Sequence, residues 1–297
     1  MQQKKLLLFF LIVSFSLTCF SQKKVLFFQT DWGFEGDLVS FLQKVKASGY
    51  DGIEVWAPRE LEQQKKVMQL LDSYDLQVIF LCGSNSNLPF QESLETYLSY
   101  LKSTLELKPL AINSHTGSDF YTFEQNAAFL KEAQMLSQLY NIPVYHETHR
   151  GRFSYSLPET LLFIENDEVE NLTLDVSHWM VVHESLLKNK DKLMERVIDK
   201  TGHIHARVGF EEGPQVNDPS APEWKDALER HLSLWESVIK KVWENDKTPT
   251  ITTEFGPPNY MPTEPFSRNP LSDQWEANVY IMKVLKERIK NLQKDAR

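Results

Sequence analysis

Apolar and polar positions along residues 25–292 follow two alternating rhythms. Short runs dense in Val, Ile, Leu and Phe predict β-strands at 25–30, 52–56, 77–81, 110–115, 143–147, 172–175, 203–208 and 248–255. After each run, apolar residues recur every three or four positions. That predicts helices at 36–49, 58–74, 89–107, 122–140, 158–166, 184–200, 222–245 and 274–292. Local chemistry agrees at two helix starts: Pro58 suits a first turn, and Thr122 is a ready N-cap.

Strands that alternate with helices of this length pair in parallel. Eight such units form a closed (β/α)8 TIM barrel, which typically needs ~250 residues. Residues 22–297 supply that length as one domain, with no linker or composition shift between units. The rival is an open doubly wound sheet. It would place a Gly-rich phosphate loop after the first strand, and Thr30-Asp-Trp-Gly-Phe-Glu-Gly36 has no such pattern.

Composition narrows the function. The chain of 297 residues is 41% hydrophobic and 25% charged, enough to bury a core. A formal net charge of -9 turns it away from nucleic acid. Lys4 and Lys5 precede an apolar run at 6–13 and a Ser/Thr-containing stretch ending at Ser21. This order predicts a signal peptide over 1–21 and export, with the periplasm as destination. The apolar run is shorter than the ~20 residues that cross a bilayer, so no membrane span is expected. Lipid anchoring through Cys19 is the weaker alternative, because Leu17 and Thr18 fit a lipoprotein signal poorly. Removal of the leader leaves Cys82 alone, reading as a packed core thiol in a fold without disulfides. The oligomeric state stays open.

In a barrel, every strand C-terminus opens on the same mouth. Here those ends carry His115, the pair His146-Glu147 followed by His149 and Arg150, Asp175 with His178, the run His203-Ile-His-Ala-Arg207, and Glu254. Seven of the eight histidines lie between 115 and 205, and six of those sit on or beside strand ends. Carboxylates and an imidazole at four successive ends point to one shared metal site. His146 should face away from Glu147 into packing. His149 and Arg150 lie in a loop, open between substrate contact and solvent. Trp32 and Trp56 are either sugar-stacking platforms or rim packing. Glu54 is expected between strands and helices. The long loops 210–222 and 256–273 should shape access, with Tyr260 and Arg268 reaching inward. His183 and His231 read as ordinary helix or loop residues.

Gly52-Ile-Glu-Val-Trp56, the Glu147 strand end, Asp175-Val-Ser-His178, Gly202-His-Ile-His205 and Thr253-Glu-Phe-Gly256 resemble, in barrel order, the sugar isomerase/epimerase superfamily. These xylose isomerase-like TIM barrels include ketose 3-epimerases and endonuclease IV-like enzymes, and the resemblance spans the chain after its leader. It implies one divalent metal, commonly Mn2+ with Mg2+, Zn2+ or Fe2+ as alternatives, held by Glu147, Asp175, His205 and Glu254. The family's ligand is the second histidine of the His-x-His pattern, which selects His205 over His203. The resemblance makes Glu147 and Glu254 the acid–base pair. It makes His178 a substrate contact, with His115, Arg207, Trp56 and Trp32 as further substrate-binding candidates. The chain departs from ketose epimerases after Glu147: they carry a further Glu, whereas Arg150-Gly-Arg-Phe-Ser-Tyr155 is basic and aromatic.

The expected function is an exported, metal-dependent isomerase or epimerase. It would abstract a proton next to a sugar carbonyl through a metal-stabilised enediolate. The same site could instead serve a lyase or hydrolase that acts on keto-glycosides by β-elimination. A non-catalytic carbohydrate-binding barrel is the third reading.

Overall fold

A computed structural model of the chain describes residues 23–295. The expected leader, its cleavage after Ser21 and Cys19 lie outside them. The elements run β1 (Leu26–Thr30), α1 (Leu38–Ser48), β2 (Gly52–Trp56), α2 (Leu61–Tyr74), β3 (Gln77–Gly83), α3 (Phe90–Leu105), β4 (Ala111–His115), α4 (Phe123–Tyr140) and β5 (Val144–Glu147). They continue with α5 (Leu157–Glu165), β6 (Leu172–Leu174), α6 (Val176–Val182), α7 (Asp191–Ile198), β7 (Thr201–Ala206), α8 (Lys225–Glu244), β8 (Thr250–Thr253) and α9 (Gln274–Asp295). The strands pair in parallel in chain order and close through β1 and β8, where Phe28 faces Thr252. The fold is the expected (β/α)8 barrel.

Strand pleating sorts the side chains into two layers. Phe27, Ile53, Val55, Phe80, Ile112, Val144, Leu174, Ile204 and Ile251 pack outward into one core beneath the helices. The residues between them line the barrel interior. At its base, Leu26, Phe28, Ile79 and Ala111 form a separate apolar plug against Tyr145. Gly52 makes room for it: a Cβ there would lie 2.6 Å from the Phe28 ring and 2.3 Å from the Gln77 carbonyl.

Thr122 caps α4 with a reciprocal capping box to Gln125. The chain differs from expectation after β6, where α6 begins directly at Asp175 and α7 follows as a second helix. Val176, Ser177, His178, Trp179 and Met180 of α6 are all buried, so no amphipathic stripe marks this helix in the sequence. Cys82 is a buried free thiol, as expected. Among the described residues no helix is long and apolar enough to cross a membrane.

The base of the barrel is a stability element remote from the mouth. Phe28→Ala should lower the unfolding free energy by about 3–5 kcal/mol in urea titration, with metal affinity unchanged. A loss below about 1 kcal/mol would show that the plug does not carry the barrel.

Candidate active site

Glu147 closes β5, Asp175 follows β6, His205 lies in β7 and Glu254 follows β8. The ring of strands brings one ligand atom from each within 4.8 Å of the others. Glu147, Asp175 and His205 are at most 1% exposed. His205 Nδ1 lies 2.9 Å from Glu254 Oε2 and 3.6 Å from Glu147 Oε2. The first separation suits a hydrogen bond, yet the angles do not: His205 Nδ1 and Glu254 Oε2, like Glu147 Oε1, are buried without a hydrogen-bond partner. Leaving a buried polar atom unpaired costs about 1–3 kcal/mol. Three such atoms in one cluster, with hard carboxylates and one imidazole around them, fit a divalent cation.

Electrostatics agrees. Burial lifts the Asp175 carboxyl to about 6; Arg207 opposes the lift, and the charges of Glu254 and Glu147 add to it. Burial works against a charged His205, but Glu254, Glu54 and Glu147 together push its pKa well above the usual range. Burial alone would raise Glu147, yet His115 and His205 hold it well below a normal carboxylate. The cluster carries excess negative charge in a dry place, the condition that a bound cation relieves.

The tautomer of His205 is set from below. Its Nε2 sits 2.8 Å from Glu54 Oε1, so Nε2–H donates there and Nδ1 is the atom turned toward Glu254 and Glu147. Glu54 was expected in the strand–helix layer. It instead points into the barrel, because it alternates with the outward-facing Ile53 and Val55. It also accepts from His203 Nε2 at 2.9 Å, Asn113 Nδ2 at 2.9 Å and the Thr252 hydroxyl. Burial opposes its ionisation, but His205 and His203 hold its pKa far below normal. His203 also points inward, one level lower, with Nδ1 2.7 Å from Thr250 Oγ1. That geometry separates the two histidines: His205 faces the cluster and His203 supports it. Asn113 was missed in the sequence. It donates to Glu147 Oε2 at 2.8 Å, and its only signal is its place two residues before His115 on an inward-facing pleat.

Asp175 serves two purposes. Its Oδ1 accepts the Ser177 N–H at 3.0 Å and caps α6, while Oδ2 meets Arg207 Nη2. Arg207 Nη1 lies 3.4 Å from Glu254 Oε2, and its guanidinium sits 4.7 Å from the Tyr260 ring centre. Arg207 thus offers a fixed cation to whatever occupies the cavity. His178 is fully buried, 3.0 Å from Arg207 Nη2, and does not line the cavity. His115 does line it, with Nε2 2.8 Å from Glu147 Oε2. His146 faces away, 2.7 Å from Thr116 Oγ1, and burial pushes its pKa down to about 3. His231 is a fully buried strut that accepts the Gly209 N–H at 3.2 Å.

The cavity above the cluster holds about 400 Å³. Trp32 and Trp56 flank it, with Trp56 50% exposed and so free to stack on a ligand. Trp32 lies edge-on to Tyr260, and Trp56 edge-on to His115. A Cβ on Gly256 would come within 2.4 Å of the Trp32 ring, so glycine lets the indole lie across the end of β8. Tyr260 reaches the cavity from the 256–273 loop, whereas the Arg268 guanidinium stays exposed, 3.3 Å from Asn259 Oδ1.

No family model matches this chain, and no curated protein matches it in sequence. Solved structures do. The chain is similar to the 3-keto-D-glucoside 4-epimerase YcjR from E. coli, at 15% identity and TM-score 0.59 over 89% of this chain and 100% of that one. It is similar to D-allulose 3-epimerase from Methylomonas sp. in complex with D-allulose, at 15% identity and TM-score 0.59 over 90% and 98%. It is also similar to endonuclease IV from Thermus thermophilus, at 11% identity and TM-score 0.54 over 90% and 99%. These likenesses establish a common fold, the closed (β/α)8 barrel.

Glu54 meets the ligand cluster through His205 and Asn113. Glu54→Gln should weaken Mn2+ binding by about 10–100-fold in calorimetric titration. Unchanged affinity would remove the supporting role assigned to Glu54.

Proposed function

We propose that this chain is an exported, divalent-metal-dependent isomerase or epimerase of a sugar or keto-sugar, with Mn2+ as the metal. The observation that carries the reading is the pair Glu147 and Glu254. Each presents a buried, unpartnered oxygen to one cluster at the cavity floor. Glu147 ends β5 and Glu254 follows β8, three strands on in the ring, so the two reach the cluster from different sides. One removes a proton beside a carbonyl and the other returns one. Glu147, Asp175, His205 and Glu254 would hold the ion. Bound there, it would supply Lewis acidity, offsetting negative charge that develops on a substrate oxygen. Arg207, which lines the cavity, would add a second positive charge there. Asn113 and His115 orient Glu147 through its Oε2.

The aromatic flanks favour a ring-shaped substrate, and the exposed Trp56 offers a stacking face for a further ring. That supports a glycoside over a free sugar and keeps β-elimination of a keto-glycoside as the second reading. The 3-keto-D-glucoside specificity named for one similar structure suggests the first substrates to try. Export rests on the basic and apolar order of 1–21, and periplasmic extraction with N-terminal sequencing tests it.

Incubation in D2O with a panel of free, keto- and glycosidic sugars should place deuterium at one carbon beside the carbonyl. Glu147→Gln and Glu254→Gln should each lower that exchange by roughly 10²–10⁴-fold. Near-wild-type exchange in either variant would sink the acid–base assignment. Prolonged EDTA treatment should abolish exchange and Mn2+ should restore it; full activity in metal-free protein would rule out the metal.

A further inference from the structure

A second cavity, of about 350 Å³, lies beside the first. It is set between the loop after β1, helix α1 and the start of α9, and Thr30 and Trp32 line both cavities. We propose that this side cavity is a second sugar subsite, seating the ring that a glycosidic bond joins to the reacting ring in the main cavity. This rests on the glycoside reading of the main cavity.

Three observations carry it. Gln29 lines the side cavity and is fully buried, yet its Nε2 has no hydrogen-bond partner. Its Oε1 accepts the Thr30 N–H at 3.1 Å and the Thr253 hydroxyl at 3.3 Å, so the amide cannot turn over without losing both. The NH2 end is a donor held in place for an acceptor that the chain does not provide. Lys44 is the second observation. Its Nζ stands 4.1 Å from the Trp275 ring centre and 5.8 Å from that of Phe34, and among the described residues no carboxylate pairs with it. The rings hold the ammonium at the wall while its N–H donors stay unclaimed. The third is the shared wall. Trp32 is tied down by its own backbone, its N–H donating to the Thr30 hydroxyl at 3.1 Å and its carbonyl accepting from Gln274 Nε2. A ligand that crosses this one indole reaches both cavities.

The wall chemistry selects a neutral, hydroxyl-rich ring. Glu35 and Asp273 stand on the same wall as Lys44, so the cavity has no net positive charge to draw an anion. Amide and ammonium donors beside carboxylate acceptors suit hydroxyl groups, which donate and accept at once. Phe34 and Trp275 add apolar surface for the C–H groups of a pyranose. Trp56 lines the main cavity and not this one, and offers a stacking face alone.

Isothermal titration of the protein with methyl α- and β-D-glucopyranoside, maltose and cellobiose tests the subsite. At least one disaccharide should bind about 10-fold more tightly than the methyl glucoside of the same anomeric configuration. Lys44→Ala, at an exposed position outside the metal cluster, should cut that preference by about 5-fold or more and leave methyl glucoside affinity unchanged. Gln29→Leu should do the same, with circular dichroism checking its fold; if it does not fold, Lys44→Ala decides alone. Equal affinity for disaccharides and methyl glucosides overturns the subsite. A preference that survives Lys44→Ala puts the further ring elsewhere, against Trp56, and also overturns it. No binding of any of the four overturns the subsite together with the glycoside reading. A disaccharide preference without deuterium exchange in any sugar sinks the proposed reaction and leaves the subsite standing.

Discussion

Buried negative charge is the constraint around which this barrel is arranged. Glu54, Glu147, Asp175 and Glu254 all come from strands or strand ends of one ring, and the first three are at most 1% exposed. Carboxylates in a dry interior are tolerated only with hydrogen bonds or cations beside them. The chain supplies donors to Glu54 from four side chains and sets Arg207 between Asp175 and Glu254. Around Glu147, His205 and Glu254 the compensation is incomplete, and unpartnered atoms remain there. The incomplete place is the candidate site.

The interior is built in levels to make this workable. Leu26, Phe28, Ile79 and Ala111 seal the base with apolar volume. Above them Glu54, Asn113, His203 and Thr252 form a hydrogen-bonded floor that spans β2, β4, β7 and β8. The ligand cluster stands on this floor, and the aromatic cavity opens above it. The apolar plug and the candidate site therefore occupy opposite ends of the same strands, as closed parallel barrels permit. Each level constrains the next: Thr250 fixes His203, His203 and Thr252 fix Glu54, and Glu54 fixes the tautomer of His205.

The rim is largely aromatic. Trp32 and Tyr260 meet edge-on at one side, and Trp56 stands over His115 at the other. Tyr260 comes from a long loop without regular structure, so its reach into the mouth depends on tertiary packing. The basic and aromatic stretch after Glu147 turns Arg150 toward Tyr260 and Arg152 toward the Ser84 carbonyl. Neither arginine pairs with Glu147, which leaves that carboxylate to its histidines and Asn113.

The sequence by itself determined the number and order of strands, the parallel ring and the strand ends that carry Glu147, Asp175, His205 and Glu254. Those features are local: an apolar run that ends in an ionisable residue is visible without its neighbours. It did not reveal which face of β2 looks inward. Both faces of a barrel strand are buried, so Glu54 lies between two apolar residues with no polar–apolar contrast to orient it. It missed α6 for a related reason, since a helix buried on nearly every side has no stripe. The separation of His203 from His205 and the place of Asn113 were decided only by closure of the ring. Closure brings side chains from strands distant in sequence into hydrogen-bond range, and no period along a single chain encodes that distance.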